Sequence, residues 1–97
     1  MPDWIWDPAK DALNRSKHRL PLAAGAAELT GDALALSRPD PHPDGNRWQT
    51  IGTIGSVAVL LVVHTEPAVS GGRDIGRIIS VRKATAHERR AYENGIT

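Results

Sequence analysis

The stretch Arg47-Trp-Gln-Thr-Ile-Gly-Thr-Ile-Gly-Ser-Val-Ala-Val-Leu-Leu-Val-Val-His-Thr65 decides the fold class. It holds two β-type runs, Arg47 to Ile54 and Val57 to Thr65, rich in Val, Ile and Thr. Gly55-Ser56 between them is a Gly-X pair suited to a type II′ turn, whose twist matches that of antiparallel strands. A β-hairpin is therefore predicted in the middle of the chain.

Working outward toward the C-terminus, Glu66-Pro-Ala-Val-Ser-Gly-Gly72 reads as a loop and Ile75 to Arg82 as a further strand. Thr85-Ala-His-Glu88 is a capping box, in which a hydroxyl and a carboxylate satisfy each other's backbone donors. It starts a helix to about Asn94, with Gly95 beyond. Toward the N-terminus, Arg38 to Asn46 contains three prolines and a glycine and reads as an extended loop, preceded by a short strand from Ala33 to Leu36. Asp7-Pro8 is a helix start, with a carboxylate cap and proline where its missing N–H costs nothing. That helix is expected to reach about His18, burying Ala9 and Leu13 and lining an adjoining face with Lys10, Asn14, Lys17 and His18. Pro21 opens a second, alanine-rich helix from Leu22 to Leu29 that ends near Gly31. Trp4 and Trp6, two apart, form a short lead-in strand with both indoles on one face. The order β-α-α-β-β-β-β-α predicts an α+β fold: a small antiparallel β-sheet with two N-terminal helices and one C-terminal helix, in a single domain of residues 1–97.

Composition bounds the chemistry. There is no Cys, which removes disulfides, a thiolate nucleophile and a cysteine-ligated zinc. Val57 to Val63, the longest apolar run, is seven residues, far short of a membrane span. The opening Met-Pro-Asp-Trp-Ile-Trp-Asp lacks the basic and apolar regions of a signal peptide, so a cytoplasmic protein without membrane association is expected. Charge is uneven: residues 1–72 carry six Lys+Arg against eight Asp+Glu, whereas residues 73–97 carry six against three. The basic C-terminal quarter suits an anionic partner.

No phosphate-binding loop, dinucleotide fingerprint, His-Glu-x-x-His or Gly-x-Ser-x-Gly occurs. His18, His42, His64 and His87 are widely spaced and share no metal-ligand pattern, so no metal and no cofactor is expected. What remains is arginine and histidine. Arg77 and Arg82 sit on one strand, Lys83 follows directly and Arg47 opens another strand; each arginine presents a planar fork that matches phosphate oxygens two at a time, or else simply lies on a solvated face. Regular alternation puts Arg77 and Arg82 on opposite faces, and both reach one site only if a bulge or the strand end redirects Arg82. Lys17-His18 closes the first helix, either offsetting its dipole or supplying a general base. His64 shares a strand face with Leu60 and Val62 and reads as structural, while His42 and His87 read as surface residues.

Trp6-Asp7-Pro8-x-Lys10, with Asn14 and Lys17-His18, resembles the opening signature of BrnT-type toxins. Arg77-Ile-Ile-Ser-Val-Arg-Lys-Ala-Thr85, followed by Glu88-Arg89 and Tyr92, resembles that family's closing signature, and Arg47, the hairpin and Thr65-Glu66 fit its middle. The resemblance spans about residues 4–92. It implies a RelE-like ribonuclease fold and the toxic half of a type II toxin–antitoxin pair, cleaving mRNA to arrest translation. Its implied partners are a neutralising BrnA-type antitoxin, single-stranded RNA, and promoter DNA only through the antitoxin, with homodimerisation of the free chain left open. Trp4, Trp48 and the second helix are expected to offer apolar surface for docking. The conserved polar positions of the family motifs map here to Lys17, His18, Arg47, Arg77 and Arg82, the candidate catalytic residues, and Lys83 beside Arg82 is a candidate RNA contact. The implied reaction is metal-independent: the ribose 2′-OH attacks the adjoining phosphorus, His18 or Lys17 takes its proton, and the arginines stabilise the extra charge.

Two positions depart from the family pattern. Arg19 stands where the family carries a Gly that ends the helix in a left-handed conformation; that conformation costs a non-Gly residue roughly 1–2 kcal/mol, so a different cap and a re-aimed His18 are expected. Asn46 replaces a Glu before the strand arginine, which would weaken activity if that acid orients the arginine or moves a proton. An alternative reading follows from both: a catalytically degenerate homologue that acts only by binding antitoxin or nucleic acid.

Overall fold

The computed structural model describes residues 2–31, 35–42, 45–54 and 58–94. In chain order the elements are β1 (Asp3–Ile5), α1 (Pro8–His18), α2 (Leu22–Gly31), β2 (Leu36–Pro39), β3 (Trp48–Ile54), β4 (Ala58–His64), β5 (Ala68–Ser70), β6 (Arg73–Lys83) and α3 (Ala86–Glu93). The strands join in the order β1-β6-β4-β3-β2, with β5 also paired to β6. β4, the most apolar strand, lies centrally, as burial on both faces requires.

The predicted central strands and all three helices are present, with the turn at Gly55-Ser56 outside the described residues. Four expectations need correction. The sheet is mixed: β1 runs parallel to β6, with Asp3, Trp4 and Ile5 opposite Ile75, Gly76 and Arg77. A parallel pair needs a long crossover, which everything between β1 and β6 supplies; a three-residue strand encodes no direction of its own. Of the strand expected at Ala33–Leu36, Ala33 and Leu34 lie outside the described residues; the strand present is Leu36–Pro39, so Arg38 and Pro39 belong to a strand and not to the loop. Proline is tolerated there because β2 is an edge. Part of the expected Glu66–Gly72 loop is β5, which turns into β6 through Gly71 (φ 60) and Gly72 (φ 77), the positive angles of a two-residue hairpin turn.

The fourth correction concerns α1. Ala9 is exposed and Leu13 is 69% exposed, whereas Asn14 is buried. The physical reason is position. β1 covers β6 only over residues 75–77, and α1 lies beside the bare edge beyond it. That edge offers backbone hydrogen bonds rather than apolar surface. Asn14 meets them as a neighbouring strand would: its Nδ2 donates to Val81 O (2.8 Å) and its Oδ1 accepts from Val81 N–H (3.1 Å). A second Nδ2 donation, to Leu20 O (2.8 Å), ties in the turn to α2.

The core lies on one face of the sheet, where Leu22 of α2 meets Leu60, Val62, Ile78 and Val81, with Trp4, Trp6, Leu20, Ala24 and Leu29 around them. Gly25 lets α2 come this close; a Cβ there would sit 2.6 Å from a Val81 methyl. Beside the core, Trp4 stands edge-on to His64 at 5.2 Å between ring centres. The opposite face carries Ile51 and Leu61, and α3 crosses it without burying any residue of its own. Among the described residues the large apolar side chains left exposed are Ile5, Leu13 and Val69, and Trp4 belongs to the core periphery.

Candidate active site

Strand β6 carries the feature that gathers the cationic residues. Val63 pairs with Ser80 but His64 pairs with Ile78, leaving Ile79 as an extra residue in a β-bulge. The bulge shifts the alternation by one. Gly76, Ile78 and Val81 all turn to the core, so Arg77, Ser80 and Arg82 share the opposite face. The bulge condition on which a shared face depends is thus met, although five residues at ~3.3 Å each keep the two arginine Cα atoms about 15 Å apart.

Between the arginines lies the end of α1. Lys17 and His18 line an open cavity of 460 Å³ together with Lys10, Leu13, Asn14, Ser16, Ile79 and Ser80. The helix ends as the family pattern would have it despite the substitution: Arg19 itself adopts the left-handed conformation (φ 60, ψ 26), and its N–H donates to Arg15 O at 2.9 Å. The expected change of cap does not occur, because the Asn14 clamp and the Leu20-Pro21 turn dictate the chain's exit more strongly than Arg19 resists it.

Arg82 is not open. Its Nη1 and Nη2 donate to Glu88 Oε1 and Oε2 at 2.7 and 2.9 Å, a bidentate pair, and Nη1 also reaches Lys83 O at 3.2 Å. Glu88 closes the capping box at the same time, accepting from Thr85 N–H (2.8 Å) while its own N–H donates to Thr85 Oγ1 (3.1 Å). The Arg82 hydrogen bonds, helped by the Thr85 amide, hold the Glu88 carboxyl down at about 2, and Arg82 in turn is raised by its partner. Lys83 pairs in register with Leu60, on the core row, and so falls on the other side from Arg82.

Arg77 stands at the opposite end of the face. Its N–H donates to Thr65 Oγ1 and its carbonyl accepts from Thr65 N–H, both at 3.0 Å. Arg47 precedes β3 on this same rim, two strands across, since Trp48 pairs with His64. Its backbone is tied to Asp40 and Gly45, and its charge helps to lower the Asp40 carboxyl, chiefly held down by the hydrogen bond from Gln49. Asn46 does structural work: its Oδ1 accepts from Glu66 N–H at 3.1 Å and joins the loops that flank Arg47 and Arg77. Lys17 and His18 are therefore brought to Ser80, flanked on one face by Arg77 and Arg82, while Arg47 stays on the Arg77 rim.

His64 is structural, as expected. Nδ1–H donates to Thr65 O (2.8 Å), which leaves Nε2 to accept from the Thr50 hydroxyl (2.6 Å), and Thr50 accepts from Ser37 (2.7 Å). Burial pushes its imidazole below the ordinary value. The sequence pattern missed Asn14 as the clamp, Ser80 in the cavity and Glu88 as partner of Arg82. The capping motif was visible, but nothing in a linear pattern ties its acid to an arginine six residues earlier. Among the described residues no three His, Asp or Glu gather as metal ligands, and no helix is long and apolar enough to cross a membrane.

This fold is that of a known toxin class. The crystal structure of the Brucella abortus ribonuclease toxin BrnT superposes with a TM-score of 0.68 at 24% identity, over 88% of this chain and 99% of that one. A family described as "Ribonuclease toxin, BrnT, of type II toxin-antitoxin system" matches residues 6–88, from Trp6 through the Arg82–Glu88 pair. The chain belongs to the BrnT ribonuclease toxin family of type II toxin–antitoxin systems. It is also similar, at 31% identity over 71 residues, to a Rhizorhabdus wittichii protein that carries the provisional name pterin-4-alpha-carbinolamine dehydratase; the match covers 72% of this chain and 67% of the relative.

Proposed function

We propose that this protein cleaves single-stranded RNA, mRNA included, without a metal ion, and so arrests translation in the cytoplasm until a BrnA-type antitoxin binds it. The antitoxin would also carry the complex to promoter DNA. The observation that carries this reading is the meeting of Lys17, His18 and Ser80 in one cavity beside β6, the strand that also carries Arg77 and Arg82. In the reaction the 2′-OH attacks its neighbouring phosphorus, and His18, or Lys17, takes the 2′-OH proton. The bond to the 5′-oxygen breaks, leaving a 2′,3′-cyclic phosphate, and the departing 5′-oxygen becomes a 5′-OH by taking a proton from the protonated base or from water. Proton removal of this kind contributes about 10²–10⁴-fold, and a guanidinium aimed at the phosphorane about 3 kcal/mol. Arg77 and Arg82 take that role; Arg47 and Lys83, further off, draw RNA by charge.

A second reading, a homologue that binds without cleaving, draws on one observation: the Arg82 fork is filled by Glu88. Incubating the protein with a defined single-stranded RNA and a matched DNA in excess EDTA tests the reading. Cleavage of RNA alone is expected, because DNA lacks the 2′-OH, and Arg77→Ala and the double variant Lys17→Ala/His18→Ala should abolish it. Cleavage of both strands, or loss of RNA cleavage in EDTA, would overturn it.

A further inference from the structure

Glu88 occupies the position that a phosphate would take on Arg82. Both guanidinium Nη atoms are spent on its two oxygens, the two-point geometry by which arginine holds a phosphate. The side chain of Arg82 is nevertheless 33% exposed, so the pair opens to solvent on the face that also carries Ser80 and Arg77. Helix α3, which supplies Glu88, is held lightly: it buries none of its residues, and a cavity of 570 Å³ separates it from a floor of Leu36, Ile51 and Leu61. Glu88 also has a second anchor in the Thr85 N–H, so its carboxylate can leave Arg82 while the capping box stays closed.

We propose that Glu88 is a built-in competitor for the RNA phosphate: in the resting protein its carboxylate fills the fork of Arg82, and RNA engages that arginine by displacing it. This rests on the ribonuclease reading for the identity of the anion. Glu88 acts only through Arg82 and is a positioning residue. It lowers affinity for nucleic acid and restrains the free toxin without touching substrate.

Glu88→Gln isolates the effect, because Gln serves the same place in a capping box but gives up the ionic half of the pair. Binding of a fluorescent single-stranded DNA oligonucleotide, which lacks the 2′-OH, is measured for the full chain, Glu88→Gln, Arg82→Gln and the double variant. Glu88→Gln is expected to bind about tenfold tighter, the difference between a charged and a neutral hydrogen-bonding competitor. In the Arg82→Gln background the same change should give little, which separates displacement from the mere loss of a negative charge. On RNA, the Glu88→Gln protein should show a lower KM with kcat undiminished. Glu88→Asp, too short to span the fork, should lie between and serves if Glu88→Gln unfolds. An unchanged or weaker affinity, a gain that survives without Arg82, or no oligonucleotide binding by any variant overturns the proposal. If the wild-type chain leaves RNA intact yet the Arg82-dependent gain appears, the competitor stands and the ribonuclease reading falls. Cleavage without the gain gives the reverse.

Discussion

Replacing Asn14 by Ala should unfasten α1 from the sheet. The amide makes three hydrogen bonds, two to Val81 and one to Leu20, and Val81 is fully buried. After truncation the Val81 N–H and C=O lose their protein partner, at about 1–2 kcal/mol each, while the half-buried Leu20 carbonyl can hydrate at smaller cost. Ala is the better helix former by about 0.5 kcal/mol, so the net loss is about 3 kcal/mol. For a domain of this size that corresponds to a fall of about 12–24 °C in Tm. Urea unfolding followed by tryptophan fluorescence and far-UV circular dichroism measures it, with the slope m unchanged if the native state stays compact. Leu13→Ala, one residue earlier on the same helix but exposed, is the control and should stay within about 0.5 kcal/mol of wild type. A loss below about 1 kcal/mol for Asn14→Ala, or equal losses for both, would refute the view that the edge of β6 is sealed by this side chain.

Three further outcomes follow from the same geometry. Arg19→Gly should stabilise the protein by about 0.5–1 kcal/mol, because relief of the left-handed conformation outweighs the added chain entropy; thermal unfolding decides it, and a destabilised variant would contradict the argument. The Glu88 carboxyl lies at about 2 when folded against an ordinary 4.5, so its contribution is complete above pH 4.5 and is lost as pH falls toward 2. With Arg82 partly exposed this amounts to about 1–2 kcal/mol, and Glu88→Gln should flatten that limb of the stability curve. His64 is depressed by burial, so its contribution is present above pH 6.5 and declines below it, as the unfolded chain takes up a proton before the folded one does; His64→Gln should remove that slope.

How much was legible in the linear pattern depended on the range of the interaction. The cap at Asp7-Pro8, the box at Thr85–Glu88 and the strands around Leu60 and Val81 arise from contacts a few residues apart or from apolar periodicity, and they stand where the pattern put them. Lys17-His18 was placed correctly at a helix end for the same reason. Periodicity misplaces the buried face of α1 at Ala9 and Leu13, because it assumes that a helix packs by apolar contact, whereas this one docks on a strand edge through an amide.

The kinds of element, their order and the polar groups available for chemistry follow from propensity, capping and short-range spacing, which are local properties of the chain. Only the tertiary structure decided the parallel direction of β1, the bulge at Ile79 that sets Arg77 and Arg82 on one face, the left-handed cap that Arg19 accepts, and the occupation of Arg82 by Glu88. Each of these depends on hydrogen bonds or register between segments distant in the chain or on opposite sides of a turn. The direction of β1 and the bulge are selected by register between distant strands, which no window of local sequence contains; the Arg19 cap and the Arg82–Glu88 pair span only a few residues, and there the packing of the turn decides.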